Sequence, residues 1–299
     1  MNNTLALNPS QAAKASIFKG SKSFSLASLL FDPGTKTAAW NLYSWCRYVD
    51  DQIDQGDPQE AEKKCLRLAQ NTAQCFEQVE KRQSNKLLSH PWIELDQVLR
   101  THPIPQKYFE DLLRGMRWDA TQKNFMAADE AQLLDYCYCV AGTVGLMMAS
   151  IMGVKQAAVL EKAKSLGIAM QLTNISRDIK EDFLNGRVYI PKNWLENLTI
   201  TQDTFVKPQE QAKLIQQRQR LLEMADQYYE KGFQGIAALP FRAALAVAAA
   251  AYIYQAIGVQ IQKAPLKTLN ERSRVSFLKK LFLIGKAFFK VLKTLPQRF

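Results

Sequence analysis

Apolar residues recur at every third or fourth position over most of the chain, and this periodicity is the feature that most restricts its fold. A stripe of that period buries one face of a helix, whereas a half-buried strand alternates at every second position. Breakers such as Pro33, Pro208 and Pro240 separate the periodic stretches, and no Gly/Ser linker divides the chain. We therefore predict a single all-α domain over 1–299, with helices at 36–54, 60–83, 106–118, 129–152, 156–184, 210–234 and 241–262.

Two of these helices carry matching acidic clusters. The first reads WCRYVDDQID and contains Asp50, Asp51 and Asp54, and the second reads QLTNISRDIKED and contains Asp178, Glu181 and Asp182. Carboxylates four residues apart lie on one face of a helix, one turn from each other, where like charges repel. Hard divalent cations bind to such a face, with water and a phosphate-bearing substrate completing the coordination shell.

Each acidic cluster continues a polar row along its helix. In a helical bundle, inward-facing rows on opposed helices build metal sites, and an arginine stands beside each cluster here. The alternative is that each row is a solvated helix face, and the sequence alone leaves both interpretations open. The first row consists of Tyr43, Arg47, Asp50 or Asp51, and Asp54, and the second of Gln171, Asn174, Asp178 and Asp182, with Arg177 beside it.

Two further segments have residue types that suit a substrate. GSKSF places Ser21, Lys22 and Ser23 ahead of an apolar run, a combination that favours an anion but also fits a plain helix N-cap. YCYCVAGTVGLMMASIMGV begins at Tyr136 and combines aromatic, small and methionine residues. These either open a soft apolar cavity or allow tight helix packing.

The net charge of +11 is concentrated near the C-terminus. From Lys263 to Phe299 there are ten Lys or Arg and one acid, Glu271, which together supply +9. The rest of the chain is close to neutral, which argues against general nucleic-acid binding. A basic amphipathic helix is predicted at about 277–295, and it either lies on an anionic membrane surface or covers the domain with its apolar face.

Taken together, these strings resemble bacterial phytoene synthases, within the squalene and phytoene synthase group of head-to-head prenyl transferases. The resemblance runs from Gly20 to about Ser276 and is carried by GSKSF, LFDP, YSWCRYVDDQID, YCYCVAGTVGLMMASIMGV, and QLTNISRDIKED followed by GRVYIP. It implies an isoprenoid-synthase helical bundle around a central apolar cavity. It also implies Mg²⁺ or Mn²⁺ as cofactor, held by Asp50, Asp51, Asp54, Asn174, Asp178 and Asp182.

The resemblance also implies roles for residues around the metal. Residues near the reacting atoms would be Tyr43, Arg47, Tyr136, Gln171 and Arg177. Residues that bind the substrate would be Ser21, Ser23, Phe24, Arg47, Tyr254, and Arg272 or Arg274, where the correspondence is loose.

The implied reaction joins two molecules of geranylgeranyl diphosphate into prephytoene diphosphate and then phytoene. No G-x-G-x-x-G fingerprint opens a helix after a strand, so NADPH is not expected. The apolar tails of the substrate and the basic last helix lead us to expect a cytoplasmic protein bound peripherally to the inner face of the membrane. The sequence leaves the oligomeric state open.

Three alternatives accompany this interpretation. A C15 enzyme of the same group would make dehydrosqualene or squalene, and cavity depth would decide between them. A chain-elongating prenyl transferase would carry two Asp-Asp-x-x-Asp motifs, whereas the second motif here is N-x-x-x-D-x-x-x-D. A non-catalytic membrane-bound assembly factor of this fold would be marked by eroded carboxylates, and both clusters are intact.

Overall fold

The computed structural model describes residues 9–54, 60–83, 89–121, 125–195 and 198–294. The described residues are mainly α-helical, which confirms the predicted all-α class. The helices are α1 (Pro9–Gly20), α2 (Lys22–Ser28), α3 (Pro33–Asp54), α4 (Ala61–Glu80), α5 (Trp92–Thr101), α6 (Gln106–Thr121), α7 (Glu130–Cys137), α8 (Thr143–Ile151), α9 (Ala157–Leu184), α10 (Pro208–Phe233), α11 (Phe241–Lys263), α12 (Pro265–Asn270) and α13 (Phe277–Leu292).

Each of the seven stretches predicted from periodicity contains a helix. Helix α3 begins at Pro33 and α10 at Pro208, because proline fits the first turn of a helix, where its missing N–H is not needed. The stretch predicted as one helix at 129–152 is divided into α7 and α8 by a π-helical turn, Tyr138–Gly142. The predicted C-terminal helix is α13, which ends at Leu292, and residue 295 lies outside the described residues.

Two short strands are the extended structure found in the described part of the chain. Strand β1 (Phe125–Met126) pairs in parallel with β2 (Arg187–Val188). β2 lies in the GRVYIP segment that directly follows α9, so this pairing ties the end of α9 to the segment after α6.

Helix α9 is the central element of the bundle. It packs along α10 and also contacts α8, α11 and the π-helical turn. Two segments, Glu130–Ile151 and α11, are long and apolar enough to cross a membrane by length and composition alone. More than half of each apolar window is buried among other helices, as is expected of core helices.

Helices α8 and α9 approach until their backbones touch. A methyl group added at Gly167 would lie 2.2 Å from the carbonyl oxygen of Ala141, and one added at Gly145 would lie 2.4 Å from that of Ala163. Ala141 and Gly145 also line the main cavity. The small residues therefore serve both purposes that their pattern suggested, close helix packing and a cavity wall.

Helix α13 has apolar residues on two sides. Leu283, Ala287 and Val291 are buried, and the helix packs against α11. Covering the bundle therefore accounts for one side only. Of the thirteen large hydrophobic side chains exposed in the described residues, six lie on the other side of α13: Phe277, Leu278, Leu281, Phe282, Phe288 and Phe289.

Candidate active site

A cavity of about 1140 Å³ lies between the helices. Ligand cavities usually measure roughly 300–1,000 Å³, so this cavity has room for one large ligand or for more than one long ligand. Much of its wall is apolar and includes Val144, Met148 and Val247. Its polar lining contains nine residues of the predicted site: Ser21, Ser23, Tyr43, Gln171, Asn174, Arg177, Tyr254, Arg272 and Arg274.

On the first side of the cavity, Tyr43 of α3 lines the wall, and Arg47, one turn later, lies outside the lining. The Arg47 guanidinium contacts two carboxylates of its own helix, with Nη1 2.9 Å from Oδ2 of Asp50 and Nη2 2.6 Å from Oδ1 of Asp51. All three of these charged side chains are partly exposed. The side chain of Asp54 lies outside the described residues, so its place in the metal site stays a prediction.

On the second side, α9 presents Gln171, Asn174 and Arg177 to the cavity. Arg177 holds Asp178 through two contacts, of which Nε to Oδ1 measures 2.8 Å. Burial lowers the pKa of the Arg177 guanidinium, but the hydrogen bond and charge of Asp178 outweigh it and the pKa is raised. This arginine therefore stays charged at the cavity wall.

Tyr254 on α11 connects the two sides. It interacts electrostatically with both Tyr43 and Arg177, and all three line the cavity. Burial raises the pKa of Tyr43 to about 12, with Arg47 opposing the rise, so the phenol is neutral at physiological pH. Tyr43 of the first row and Gln171 and Asn174 of the second therefore border one cavity, while the carboxylates of Asp50, Asp51, Asp178 and Asp182 stand outside its lining.

The N-terminal GSKSF segment closes over the Tyr43 side. Ser21 is the N-cap of α2, since its Oγ accepts the backbone N–H of Phe24 at 3.2 Å, and the Phe24 ring stacks on Tyr43 at 5.9 Å. A methyl group on Gly20 would lie 2.2 Å from the Tyr43 hydroxyl, so this close approach depends on glycine. Ser21 is thus an N-cap and a cavity residue at once.

Comparison with known proteins identifies the family. The squalene/phytoene synthase family model matches residues 17–279. The chain belongs to the squalene/phytoene synthase family. It is 35% identical to 15-cis-phytoene synthase of Pantoea ananas, over 100% of this chain and 97% of that protein. It is also 38% identical to 15-cis-phytoene synthase of Enterobacter agglomerans, over 89% of this chain and 90% of that protein.

Solved structures confirm the expected isoprenoid-synthase fold. A crystal structure of a dehydrosqualene synthase in complex with ligand superposes with a TM-score of 0.81 at 28% identity, over 95% of this chain and 97% of that one. The squalene synthase HpnC from Alicyclobacillus acidocaldarius has a TM-score of 0.72 at 20% identity, over 85% of this chain and 93% of that one, and shares the fold.

The donors on α3 and α9 suit the hard cation that the family implies. They are carboxylate and amide oxygens, and the buried Oδ1 of Asn174 has no hydrogen-bond donor within the described residues. In that same part of the chain, no group of three or more His, Cys, Asp or Glu side chains is placed to hold a metal ion. Mg²⁺ usually binds through one or two carboxylates together with waters and substrate phosphates, so it does not need such a group. The residues present therefore fit the metal.

Asp182 is a predicted ligand whose carboxyl has a shifted pKa. Burial raises the pKa of its carboxyl to about 8, the negative charge of Asp178 adds to the rise, and Arg187 opposes it. Without a cation this carboxyl therefore holds a proton at neutral pH. A divalent ion beside it would favour the carboxylate instead.

Tyr136, like Arg47, is not among the residues that line the cavity. Its hydroxyl donates to Oδ2 of Asp119 at 2.7 Å, and its ring stacks on Tyr189 at 4.7 Å. The π-helical turn that follows adds a residue to the helix and so rotates the next segment by about 100°. Tyr136 precedes this turn and the cavity-lining residues of α8 follow it, and its predicted place near the reacting carbons stays a prediction.

The sequence analysis did not single out Asp119, Arg187 or Tyr189. The Oδ1 of Asp119 accepts the Tyr189 hydroxyl at 2.7 Å, and both Asp119 and Arg187 act electrostatically on Asp182. Arg187 and Tyr189 lie in GRVYIP, a segment that carried the family resemblance. That resemblance was the one sequence signal that could have indicated these two residues.

Arg218 was also missed, and it supports the wall that contains Arg272. Its buried guanidinium donates to the carbonyl oxygens of Ser176 on α9 at 2.6 Å and of Thr268 on α12 at 2.8 Å. Four residues after Thr268, Arg272 reaches back to Asp178, with Nε 3.1 Å from Oδ1. Arg218 therefore fixes the segment that brings a second arginine to the acidic row.

Proposed function

We propose that this chain is a prenyltransferase that condenses two molecules of geranylgeranyl diphosphate head to head, through prephytoene diphosphate, to phytoene. The observation that carries the proposal is one large, mainly apolar cavity lined by Tyr43 of α3 and by Gln171 and Asn174 of α9, two rows that each continue into a carboxylate paired with an arginine. The relatives named 15-cis-phytoene synthase support this choice of substrate and product.

The metal would be Mg²⁺ or Mn²⁺. Bound there, it supplies Lewis-acid neutralisation of the diphosphate leaving group. The ligands would be Asp50, Asp51 and Asp54 on α3, and Asn174, Asp178 and Asp182 on α9.

The arginines would bind the diphosphate. Arg177 and Arg272 both contact Asp178, and Arg47 contacts Asp50 and Asp51, so each guanidinium stands where a carboxylate and a phosphate can compete for it. Guanidinium groups match phosphate oxygens with paired hydrogen bonds. We propose that Ser21, Ser23 and Arg274, which line the same cavity, help to hold the second diphosphate.

The cavity would protect the carbocation left when diphosphate departs. Its apolar wall excludes water, which would otherwise capture the cation. Tyr43 and Tyr254 line the cavity beside Arg177 and can stabilise the cation through their ring faces. A neutral Tyr43 suits this role, because its raised pKa keeps it from acting as a charged base.

A product assay tests the reaction. Purified protein with Mg²⁺ and geranylgeranyl diphosphate should release inorganic pyrophosphate and an extractable C40 hydrocarbon, identified as phytoene by mass and ultraviolet spectrum. The competing candidate is a C15 enzyme, favoured by the similarity to a dehydrosqualene synthase structure. Farnesyl diphosphate, with and without NADPH, is therefore run in parallel, and dominant C15 turnover would overturn the C20 assignment.

We also propose that the chain is one domain, cytoplasmic and peripherally bound to the inner membrane face. Helix α9 contacts helices from both halves of the chain, which supports one domain. A C40 hydrocarbon costs about 30 kcal/mol to move into water at about 0.8 kcal/mol per CH₂, so a membrane is its natural destination. The exposed lysines of α13 would attract an anionic leaflet.

Replacing three α13 lysines should weaken membrane binding. Each lysine near an anionic surface contributes about 1 kcal/mol, so Lys279→Gln, Lys286→Gln and Lys290→Gln together should weaken binding roughly a hundredfold. Flotation with phosphatidylglycerol vesicles measures this. The matched control replaces Lys63, Lys64 and Lys81, on and beside α4, with glutamine as well. It should float like the unsubstituted protein. Equal flotation of both triple variants would show that the α13 lysines do not attract the protein to the membrane.

A further inference from the structure

The exposed apolar side of α13 is continuous with the cavity. Phe277, the first residue of α13, is 64% exposed and also lines the cavity. Two other cavity-lining residues are similarly exposed, Phe18 near the end of α1 at 43% and Leu29 just after α2 at 45%. The cavity therefore reaches the surface where α1, α2 and α13 meet, and apolar side chains surround that opening.

Helix α13 is tied to this opening by a lysine. The Nζ of Lys280 donates to the backbone carbonyl of Lys22 at 3.3 Å, which joins the start of α13 to the start of α2. Lys280 and Lys22 both line the cavity, as does the exposed Lys19. The opening thus combines apolar side chains with cations, and this composition matches the boundary between acyl chains and anionic headgroups.

The side chains of the segment that leads into α13 change from polar to apolar along its length. Arg272 and Arg274 line the cavity and Arg272 contacts Asp178, whereas Phe277, three residues after Arg274, lines it beside the exposed side of α13. An amphiphile with an anionic head and an apolar tail could lie along this segment, with the head at the arginines and the tail toward α13.

We propose that the opening bounded by Phe18, Leu29 and Phe277 is a port that faces an anionic phospholipid bilayer. Prenyl chains enter and the hydrocarbon leaves through it without crossing water. The identity of the molecules that pass through the port rests on the proposed function. The exposed side of α13, with Lys279, Lys286 and Lys290 beside it, seats the port on the membrane.

Added tryptophans locate the membrane surface. Leu29→Trp labels the port, Phe282→Trp labels the exposed side of α13, and Leu66→Trp is the matched leucine control, an exposed residue on α4. Helix α4 packs on α3, α5 and α6 rather than at the port. The probe is a vesicle of phosphatidylglycerol and phosphatidylcholine with brominated acyl chains, which quench indole fluorescence on contact. The unsubstituted protein sets the background from its five tryptophans.

We expect the added fluorescence at positions 29 and 282 to fall roughly twofold on brominated vesicles, and that at position 66 to stay constant. Quenching at 282 without quenching at 29 would overturn the port, because α13 would then anchor the protein with its opening in water. Quenching at neither position, or a stable dimer that covers α13 in sedimentation, would also overturn it. Phytoene formation measured in detergent is independent of these results, so failure of the proposed function is scored separately.

Discussion

Asp178→Asn is expected to lower phytoene formation at least about a thousandfold, equivalent to about 4 kcal/mol of transition-state stabilisation. Asp178 accepts hydrogen bonds from both Arg177 and Arg272, and it is a predicted metal ligand. Removing its charge would remove a ligand and free two arginines from their counter-ion at the same time. The rate is measured by product extraction under saturating geranylgeranyl diphosphate and Mg²⁺.

Asp50→Asn is the companion variant on the opposite helix and should lose turnover to a similar extent. Asp50 is partly exposed, so this variant separates loss of chemistry from loss of folding better than the more buried Asp178 does. The matched control is Asp226→Asn, an exposed carboxylate on α10, which should keep full activity. Far-UV circular dichroism should be unchanged in all three. Undiminished phytoene formation in both site variants would remove the metal assignment.

The helical bundle could be predicted from the sequence because its information is local. Periodic apolar residues and proline breakers determine α4, α6 and α10 without knowledge of their partners. Short helices such as α2 and α5 were not predicted, since ten or fewer residues give too little periodicity to distinguish them from loops.

The site could be predicted only as two separate rows. Spacing placed Gln171 and Asn174 in one row of α9 with Arg177 beside it, but only the folded chain brings these residues to the same cavity as Tyr43. The residues that act electrostatically on Asp182 are still harder to predict from sequence. Asp119 and Arg187 come from α6 and β2, and they meet only through tertiary packing. The π-helical turn after Tyr136 is a further example, since one such turn changes which faces of the helix the residues before and after it occupy.

Helix α13 shows where an amphipathic pattern is ambiguous. Its sequence offered two alternatives, a cover for the bundle or a membrane surface, and each needs an apolar face. The structure has room for both, because Leu283, Ala287 and Val291 are buried while Phe282 and other large residues remain exposed. The apolar residues of α13 therefore extend around more of the helix than its contact with α11 covers.

Gly167→Ala is expected to lower the free energy of unfolding by about 3 kcal/mol. Inserting atoms into a packed core costs about 1–3 kcal/mol when side chains can adjust, and we expect the upper end because the added methyl would meet backbone atoms of Ala141 and Gly142 at 2.2–3.0 Å. Helices α8 and α9 would have to separate, which would also shift Ala141 and Gly145 in the cavity wall. Urea denaturation followed by circular dichroism measures the loss.

The matched control for that substitution is Gly285→Ala on α13. A methyl group there meets no described atom within 4 Å, so the change should leave stability unaltered or raise it by up to about 1 kcal/mol through helix propensity. The contrast between the two glycines isolates the steric contact, because both lie inside helices and both gain the same methyl group. Equal stability of the two variants would mean that α8 and α9 do not cross with their backbones in contact. Destabilisation of Gly167→Ala alone would establish the helix crossing that forms one wall of the cavity.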